Sequence, residues 1–142
     1  MKHDYHKKKS LEIALRRLVS LDKITPVFKY LGCLSVVEFK TQLTRRFVEN
    51  MTFDNYGKIW TIDHIVPQAM FNLADDVDTS LCYNWRNLLP MLKQDNHIKE
   101  HCPVIAHNLI VTLPESSYKV EYLKRLEPLI HLYEKYEDAI RR

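Results

Sequence analysis

A chain of 142 residues, 46% hydrophobic and 27% charged, has the length and composition of one folded domain with a core of its own. No apolar run approaches the roughly 18 residues a membrane span needs. The basic start "MKHDYHKKKS" lacks the apolar stretch of a secretory leader, so the expectation is an intracellular protein.

The net charge of +3 is unevenly spread. Residues 1–50 carry 11 Lys and Arg against 5 Asp and Glu, and residues 51–142 carry 10 against 13. A basic first third beside a carboxylate-bearing centre suits a protein that handles nucleic acid, because cations hold phosphates and acids hold a metal. The three cysteines, Cys33, Cys82 and Cys102, are odd in number, widely spaced and without a CxxC pair. That pattern predicts buried free thiols, not a disulfide framework or a zinc ribbon.

In chain order, Leu11, Ile13, Ala14, Leu15, Leu18 and Leu21 predict a helix over residues 9–21 with a broad apolar face. "DKITP" breaks it, and a short helix over 27–31 ends at Gly32. Ser35 and Glu38 have capping-box spacing for a helix over 36–50, with Val36, Phe39, Leu43 and Phe47 on one side. "DNYGK" is turn chemistry.

Ile59 to Val66 reads as a strand. A long connection follows, irregular or briefly helical near 78–83, and then a second strand over 87–91 with Pro90 at an edge. Residues 94–101 predict a helix. "CPVIAHNLIVTLP" reads as loop with a short helix or strand. Ser116 or Ser117 caps a last helix to about Ile140, which Pro128 should kink or divide.

The chemistry concentrates in the middle. "IWTIDHIVPQAMF" places Asp63 beside His64 near the end of a strand, followed by Asn87, Asn96 and Lys99. Neighbouring strand residues point to opposite faces, so a bend or bulge ahead of Pro67 is expected if both are to serve one pocket. An imidazole can take a proton from water near neutral pH. A carboxylate and an amide oxygen are hard ligands for Mg²⁺. Lys99, one turn beyond Asn96, could reach a phosphate.

These blocks resemble the HNH (ββα-metal) endonucleases. "DHIVPQAMF" is similar to the catalytic strand in the HNH domain of the RNA-guided CRISPR nuclease. The nine-residue step from Asn87 to Asn96 matches the spacing of the corresponding asparagines there. "YLGCLS", "FVENMTFDNYGKIWTIDHIVP", Phe71, "NLLPM" and "DNHIK" resemble, in order, the blocks of small HNH proteins of phages and large DNA viruses.

The likeness covers roughly residues 30–99. It implies an α+β fold with a ββα hairpin-helix core at 51–102, flanked by a basic helical part at 1–50 and a C-terminal helical part at 103–142. It implies His64 as general base, Asp63 and Asn96 as metal ligands, Asn87 as the residue that keeps His64 aimed, and Lys99 as a phosphate contact. The implied cofactor is Mg²⁺ or Mn²⁺, and the implied partner is DNA.

The family's usual glycine before "MTW" is Asn50 here and its Trp is Phe53, both read as packing changes. The connection from Pro67 to Asn87 is longer than in the CRISPR enzyme. His97 and His101 stand at i, i+4 and form an alternative, zinc-type ligand pair if the helix register shifts by one.

Arg45, Arg46, Lys58 and the Lys7 to Lys9 run are candidate phosphate-positioning groups. His107 and His131 carry no expectation, Trp60 and Trp85 are expected in the core, and Tyr56 is expected to shape the turn. Two rivals stand beside the DNA endonuclease: an inactive DNA-binding scaffold on the same fold, and an RNA-directed nuclease. One such site cuts one strand, so a double-strand break would take a second protomer, as in a homodimer, or a second visit.

Overall fold

The computed structural model describes residues 2–95 and 102–141. Helix α1 (Lys2–Leu21) begins ahead of the expected start, because the lysine run continues its helical backbone. Its buried stripe is Leu11, Ala14, Leu15, Leu18 and Val19, the i, i+3, i+4, i+7, i+8 pattern of one helix face. Ile13 and Leu21, expected inside, are exposed, so the apolar face is narrower than the composition of the segment suggested.

Helix α2 (Phe28–Leu31) stops at Gly32, whose φ of 73° is left-handed. A Cβ there would stand 2.4 Å from the Asn84 side-chain nitrogen, so glycine serves both the turn and a close approach. Helix α3 (Val36–Thr44) opens with the Ser35 side chain accepting from the Glu38 amide. The Glu38 carboxylate accepts from the Leu34 amide, one residue before the position a capping box would use.

Helix α3 ends at Thr44, six residues before the expected Asn50. Three-residue hydrogen bonds from the amides of Arg46 and Phe47 to the carbonyls of Leu43 and Thr44 tighten it off. Phe47 then turns inward, with its ring centre 5.2 Å from that of Phe53 and 4.9 Å from that of Trp60. Asn50 has a φ of 65°, a left-handed conformation that glycine adopts without cost and asparagine tolerates better than most residues. The Asn50 exchange is therefore a matter of backbone conformation, not of packing. The Asn55 side chain locks the following turn, accepting from the Thr52 amide at 2.9 Å and donating to the Asn50 carbonyl at 2.6 Å.

Strand β1 (Trp60–His64) pairs antiparallel with β2 (Leu88–Leu92), from Trp60 opposite Leu92 to His64 opposite Leu88. The two form a two-stranded sheet, so both strands have an open edge, which suits Pro90 opposite Ile62. Helical backbone begins directly after β2, at Lys93, and is described as far as Asp95.

The connection between the strands is helical where a brief helix near 78–83 was expected. It holds a single helical turn at Gln68–Met70, helix α4 (Asp76–Tyr83) capped by the Asp75 side chain, and another turn at Trp85–Asn87. The ambiguous stretch after Cys102 is a helix, α5 (Pro103–Val111), with Pro103 at the first position, where a missing amide proton costs nothing. Its inward residues Ala106 and Ile110 are one turn apart.

Helix α6 (Ser117–Arg141) runs through Pro128 without division. The Ser116 hydroxyl caps it by accepting from the Lys119 amide, and the Lys119 ammonium donates to the end carbonyls Val111 and Leu113 near the close of α5.

One cluster of buried side chains joins α1, α2, α3, the hairpin, α4, α5 and α6, with Tyr83, Tyr122 and Phe39 its largest fully buried members, while the fully buried Trp60 packs against Phe47, Phe53 and Tyr56. Trp60 is core as expected and Trp85 is half-buried. Cys82 is buried, Cys33 and Cys102 are half-buried, and all three are free thiols. Among the described residues no helix is long and apolar enough to cross a membrane. The architecture is α+β: helices packed around a small two-stranded sheet.

Candidate active site

The cleft that holds His64 has a volume of about 490 Å³. Thr61, Ile62, Asp63 and His64 of β1 all line it, together with Pro67, Gln68, Tyr83, Tyr56 and one face of α1. Four consecutive strand residues reach one cavity because it runs along the edge of β1 that faces away from β2. Side chains of either parity can lean over an open edge. The pairing from residue 60 to 64 is regular and holds no bulge, and the chain bends at Ile65 and Val66, directly ahead of Pro67.

His64 is half-buried and held from two sides. Its Nδ1 lies 3.0 Å from the Cys82 carbonyl oxygen. A carbonyl only accepts, so Nδ1 carries the proton and Nε2 is the acceptor. The Gln68 amide nitrogen sits 2.8 Å from Nε2 and also donates to the Tyr83 hydroxyl at 2.8 Å. The Tyr83 ring stands edge-on to the imidazole, with centres 4.8 Å apart. Pro67 starts the turn that returns Gln68 over the ring, which explains its place three residues beyond His64.

Asn87 is fully buried, and its side chain closes the loop behind His64. Its oxygen accepts from the Val66 amide at 2.8 Å, and its nitrogen donates to the carbonyls of Val66 at 3.2 Å and Cys82 at 3.0 Å. The Cys82 carbonyl thus receives both the Asn87 amide and the His64 ring. Its position at the end of α4 is set in turn by α6, where the Tyr122 hydroxyl donates to the Leu81 carbonyl at 2.6 Å. Arg125 of α6 grips Asp78 of α4 at 2.9 and 3.2 Å and donates to the Met70 carbonyl at 2.8 Å.

Burial pushes the Cys82 thiol and the Tyr83 hydroxyl well up, so both stay neutral at working pH. Burial also raises the Tyr56 hydroxyl, with nearby Arg16 pulling the other way. Tyr56 does more than shape the turn: it forms part of the cleft wall, packed 4.8 Å from Trp60.

The other candidates divide. Asn96, Lys99, His97 and His101 lie outside the described residues. Arg45 and Lys58 are exposed and do not line the cleft. Arg46 is a structural tie: it donates to the Trp85 carbonyl at 3.1 Å, and its guanidinium lies 5.7 Å from the Trp85 ring centre. Burial lowers it to about 10, which leaves it charged at neutral pH. It borders a separate apolar cavity with Ile65, Leu89 and Met91, away from His64, so it is not available to a phosphate in the cleft. Of the lysine run, Lys8 lines the cleft, whereas Lys7 donates to the Leu73 carbonyl and pairs with Asp76.

Sequence reading missed Glu12, Arg16, Gln68 and Tyr83. Glu12 and Arg16 carry a signal in hindsight: with Lys8 they form an i, i+4, i+8 row on α1. Gln68 and Tyr83 carry none, because what aims them is the path of the long connection.

Asp63, half-buried on the cleft edge next to His64, is a hard oxygen donor of the kind Mg²⁺ or Mn²⁺ takes once or twice while keeping several waters. Among the described residues no group of three or more His, Cys, Asp or Glu is gathered to hold a metal.

No family model and no solved structure matches the chain. Two uncharacterized proteins of Acanthamoeba polyphaga mimivirus are similar to it. One is 37% identical over 71 residues, 50% of this chain and 31% of that protein. The other is 35% identical over 77 residues, 51% of this chain and 34% of its own length. The chain spans about a third of the length of these curated relatives.

Proposed function

We propose that the protein is a divalent-metal-dependent endonuclease of the HNH (ββα-metal) kind that hydrolyses phosphodiester bonds in DNA. The observation that carries this reading is the aim of His64. Its Nδ1 proton is committed to the Cys82 carbonyl, so Nε2 is the basic nitrogen, and the ring borders a cleft beside a carboxylate. A histidine at a cleft whose Nδ1 proton is fixed presents Nε2 as a general base requires. The order strand, connection, strand, helical turn is the order the resemblance calls for.

In this reading a water bound at the cleft gives its proton to Nε2 as its oxygen attacks phosphorus, and the bond from phosphorus to the leaving 3′ oxygen breaks, that oxygen departing as an alkoxide that takes a proton from solvent. The Gln68 amide must yield Nε2 to that water, since the nitrogen has one lone pair. The Cys82 carbonyl then stabilises the imidazolium by accepting from Nδ1, and Asn87 holds that carbonyl still. Asp63, with Asn96 as second protein ligand, would hold the metal; their oxygen donors favour Mg²⁺ or Mn²⁺ over Zn²⁺. When bound, the ion neutralises charge at the phosphate and on the leaving oxygen. Lys99 is proposed as a phosphate contact. The mimivirus relatives favour a large DNA virus as the setting.

The test is incubation of purified protein with supercoiled plasmid in Mg²⁺, Mn²⁺, Zn²⁺ or EDTA, with His64→Ala alongside. Nicked or linear product that requires both metal and His64 supports the reading. Plasmid binding without cleavage under every metal would move the protein to the scaffold class. Preferential cleavage of a matched RNA would make it an RNA-directed nuclease.

A further inference from the structure

Opposite Asp63 and His64, the cleft is walled by Lys8, Glu12, Leu15 and Arg16 of α1. The three charged residues stand four apart, so they form one row along a single helix face, cation, anion, cation. Lys8 and Arg16 are exposed and Glu12 is half-buried.

A purely solvated row would be expected to close on itself through i, i+4 pairs. Among the described residues no ion pair joins Glu12 to Lys8 or to Arg16; the α1 lysine that pairs is Lys7, with Asp76. The row acts across the cleft instead. Burial dominates the upward push on Cys82, Tyr83 and Tyr56; Glu12 adds to it at Tyr83, whereas Lys8 and Arg16 oppose it at Cys82 and Tyr56.

Eight residues of helix separate Lys8 from Arg16 by about 12 Å along the axis. Side chains that stand off the helix at that separation meet different phosphates. A strand rising about 3.4 Å per nucleotide covers that distance in three to four nucleotides. The spacing therefore selects a polyanionic strand and not a mononucleotide.

We propose that this face of α1 is the strand-gripping wall of the cleft, with Lys8 and Arg16 each seating a backbone phosphate of a bound nucleic-acid strand on either side of the reacting one. Glu12 keeps a phosphate out of the middle of the row. The strand is thereby pressed toward β1 at the point where Asp63 and His64 stand. This rests on the nuclease reading for what happens at His64, but not for the binding itself.

The experiment measures binding of labelled 20-nucleotide single strands and duplexes by fluorescence anisotropy, in EDTA so that nothing is cut, across a salt series. The variants are the double Lys8→Glu, Arg16→Glu, the single Glu12→Gln, and Lys135→Glu on exposed α6 as a charge control, each checked by thermal melting. The double variant should bind at least about tenfold more weakly and lose roughly two phosphate contacts' worth of salt slope. Glu12→Gln should bind about two- to threefold more tightly, because it removes a repelling charge. Lys135→Glu should stay within about twofold of the parent.

A double variant no weaker than the Lys135→Glu control overturns the wall, and so does a parent protein that fails to bind at low salt. Plasmid nicking by His64→Ala separates the two ideas. His64-dependent cutting with binding indifferent to α1 removes the wall and leaves the nuclease. Binding that depends on Lys8 and Arg16 in a protein that never cuts removes the nuclease and leaves the wall.

Discussion

The two sides of the cleft are built on opposite principles. On the β1 side the polar groups are half or fully buried, and three of them are committed: His64 to Cys82 and Gln68, Asn87 to Val66 and Cys82, Gln68 to Tyr83. On the α1 side the charges of Lys8 and Arg16 are exposed, on long side chains anchored by a stripe of Leu11, Ala14, Leu15 and Leu18 beneath them. A proton transfer needs an atom held to within a fraction of an ångström, and only a buried, fully bonded network does that. Holding a phosphate needs charge at roughly the right distance, and a flexible side chain in water supplies it. Mutations on the two sides should therefore fail differently.

The largest expected effect is on the buried side. His64→Ala should lower metal-dependent cleavage by at least about a hundredfold, the usual worth of a general base, with the melting temperature little changed. Plasmid nicking and thermal denaturation check it together; cleavage that persists in rigorously purified variant protein would remove His64 from the role.

Asn87→Ala comes next. It leaves the Val66 amide buried without an acceptor and takes a donor from the Cys82 carbonyl, so it should cost about 2–4 kcal/mol in urea unfolding. Where the variant still folds, cleavage should drop as well, because the carbonyl that aims His64 is no longer held. A loss of stability below about 1 kcal/mol would mean that the loop does not depend on this side chain.

Gly32→Ala probes a more distant support. The added carbon meets the Asn84 side chain at 2.4 Å and forces alanine into a left-handed conformation. A cost of about 1–3 kcal/mol follows, read from the urea midpoint.

The smallest effect is pH-dependent. Burial alone would raise the Asp78 carboxyl, but hydrogen bonds from Arg125 and the Asn72 amide outweigh it and hold it below its ordinary value. A carboxyl lowered in the folded state adds stability that is complete above its unfolded pKa of about 3.9. That stability is lost as pH falls through the lower folded value. The gap in urea midpoint between the parent and Asp78→Asn should therefore be widest near neutral pH and close below about pH 4. A gap that stays constant with pH would show that the Arg125 pair contributes nothing through charge.

Much of this molecule is local in origin, and that part was legible beforehand. Helix α2 with its terminal Gly32, the Ser35 cap, both strands, and the start of the last helix at Ser116 and Ser117 follow from neighbours two to four residues apart. Helix α3 stops early where Phe47 packs against Phe53 and Trp60, and the choice among loop, helix and strand that the sequence left open after Cys102 falls to a helix whose Ala106 and Ile110 meet the core. Asn50 was taken for packing when its left-handed φ is what matters, which no spacing rule reveals.

The site divides in the same way. That Asp63, His64 and Asn87 gather in one place was expected from their types and order and from the resemblance they carry, and the structure does bring Asp63 and His64 to one cleft with Asn87 bonded behind it. Which edge of β1 they use, which ring nitrogen of His64 bears the proton, and that Gln68, Tyr83 and the α1 row complete the cleft were decided only by the tertiary structure. The reason is physical: those relations depend on how a two-stranded sheet leaves an edge open and on which carbonyl α4 delivers to it. Both are outcomes of packing between segments that share no local pattern.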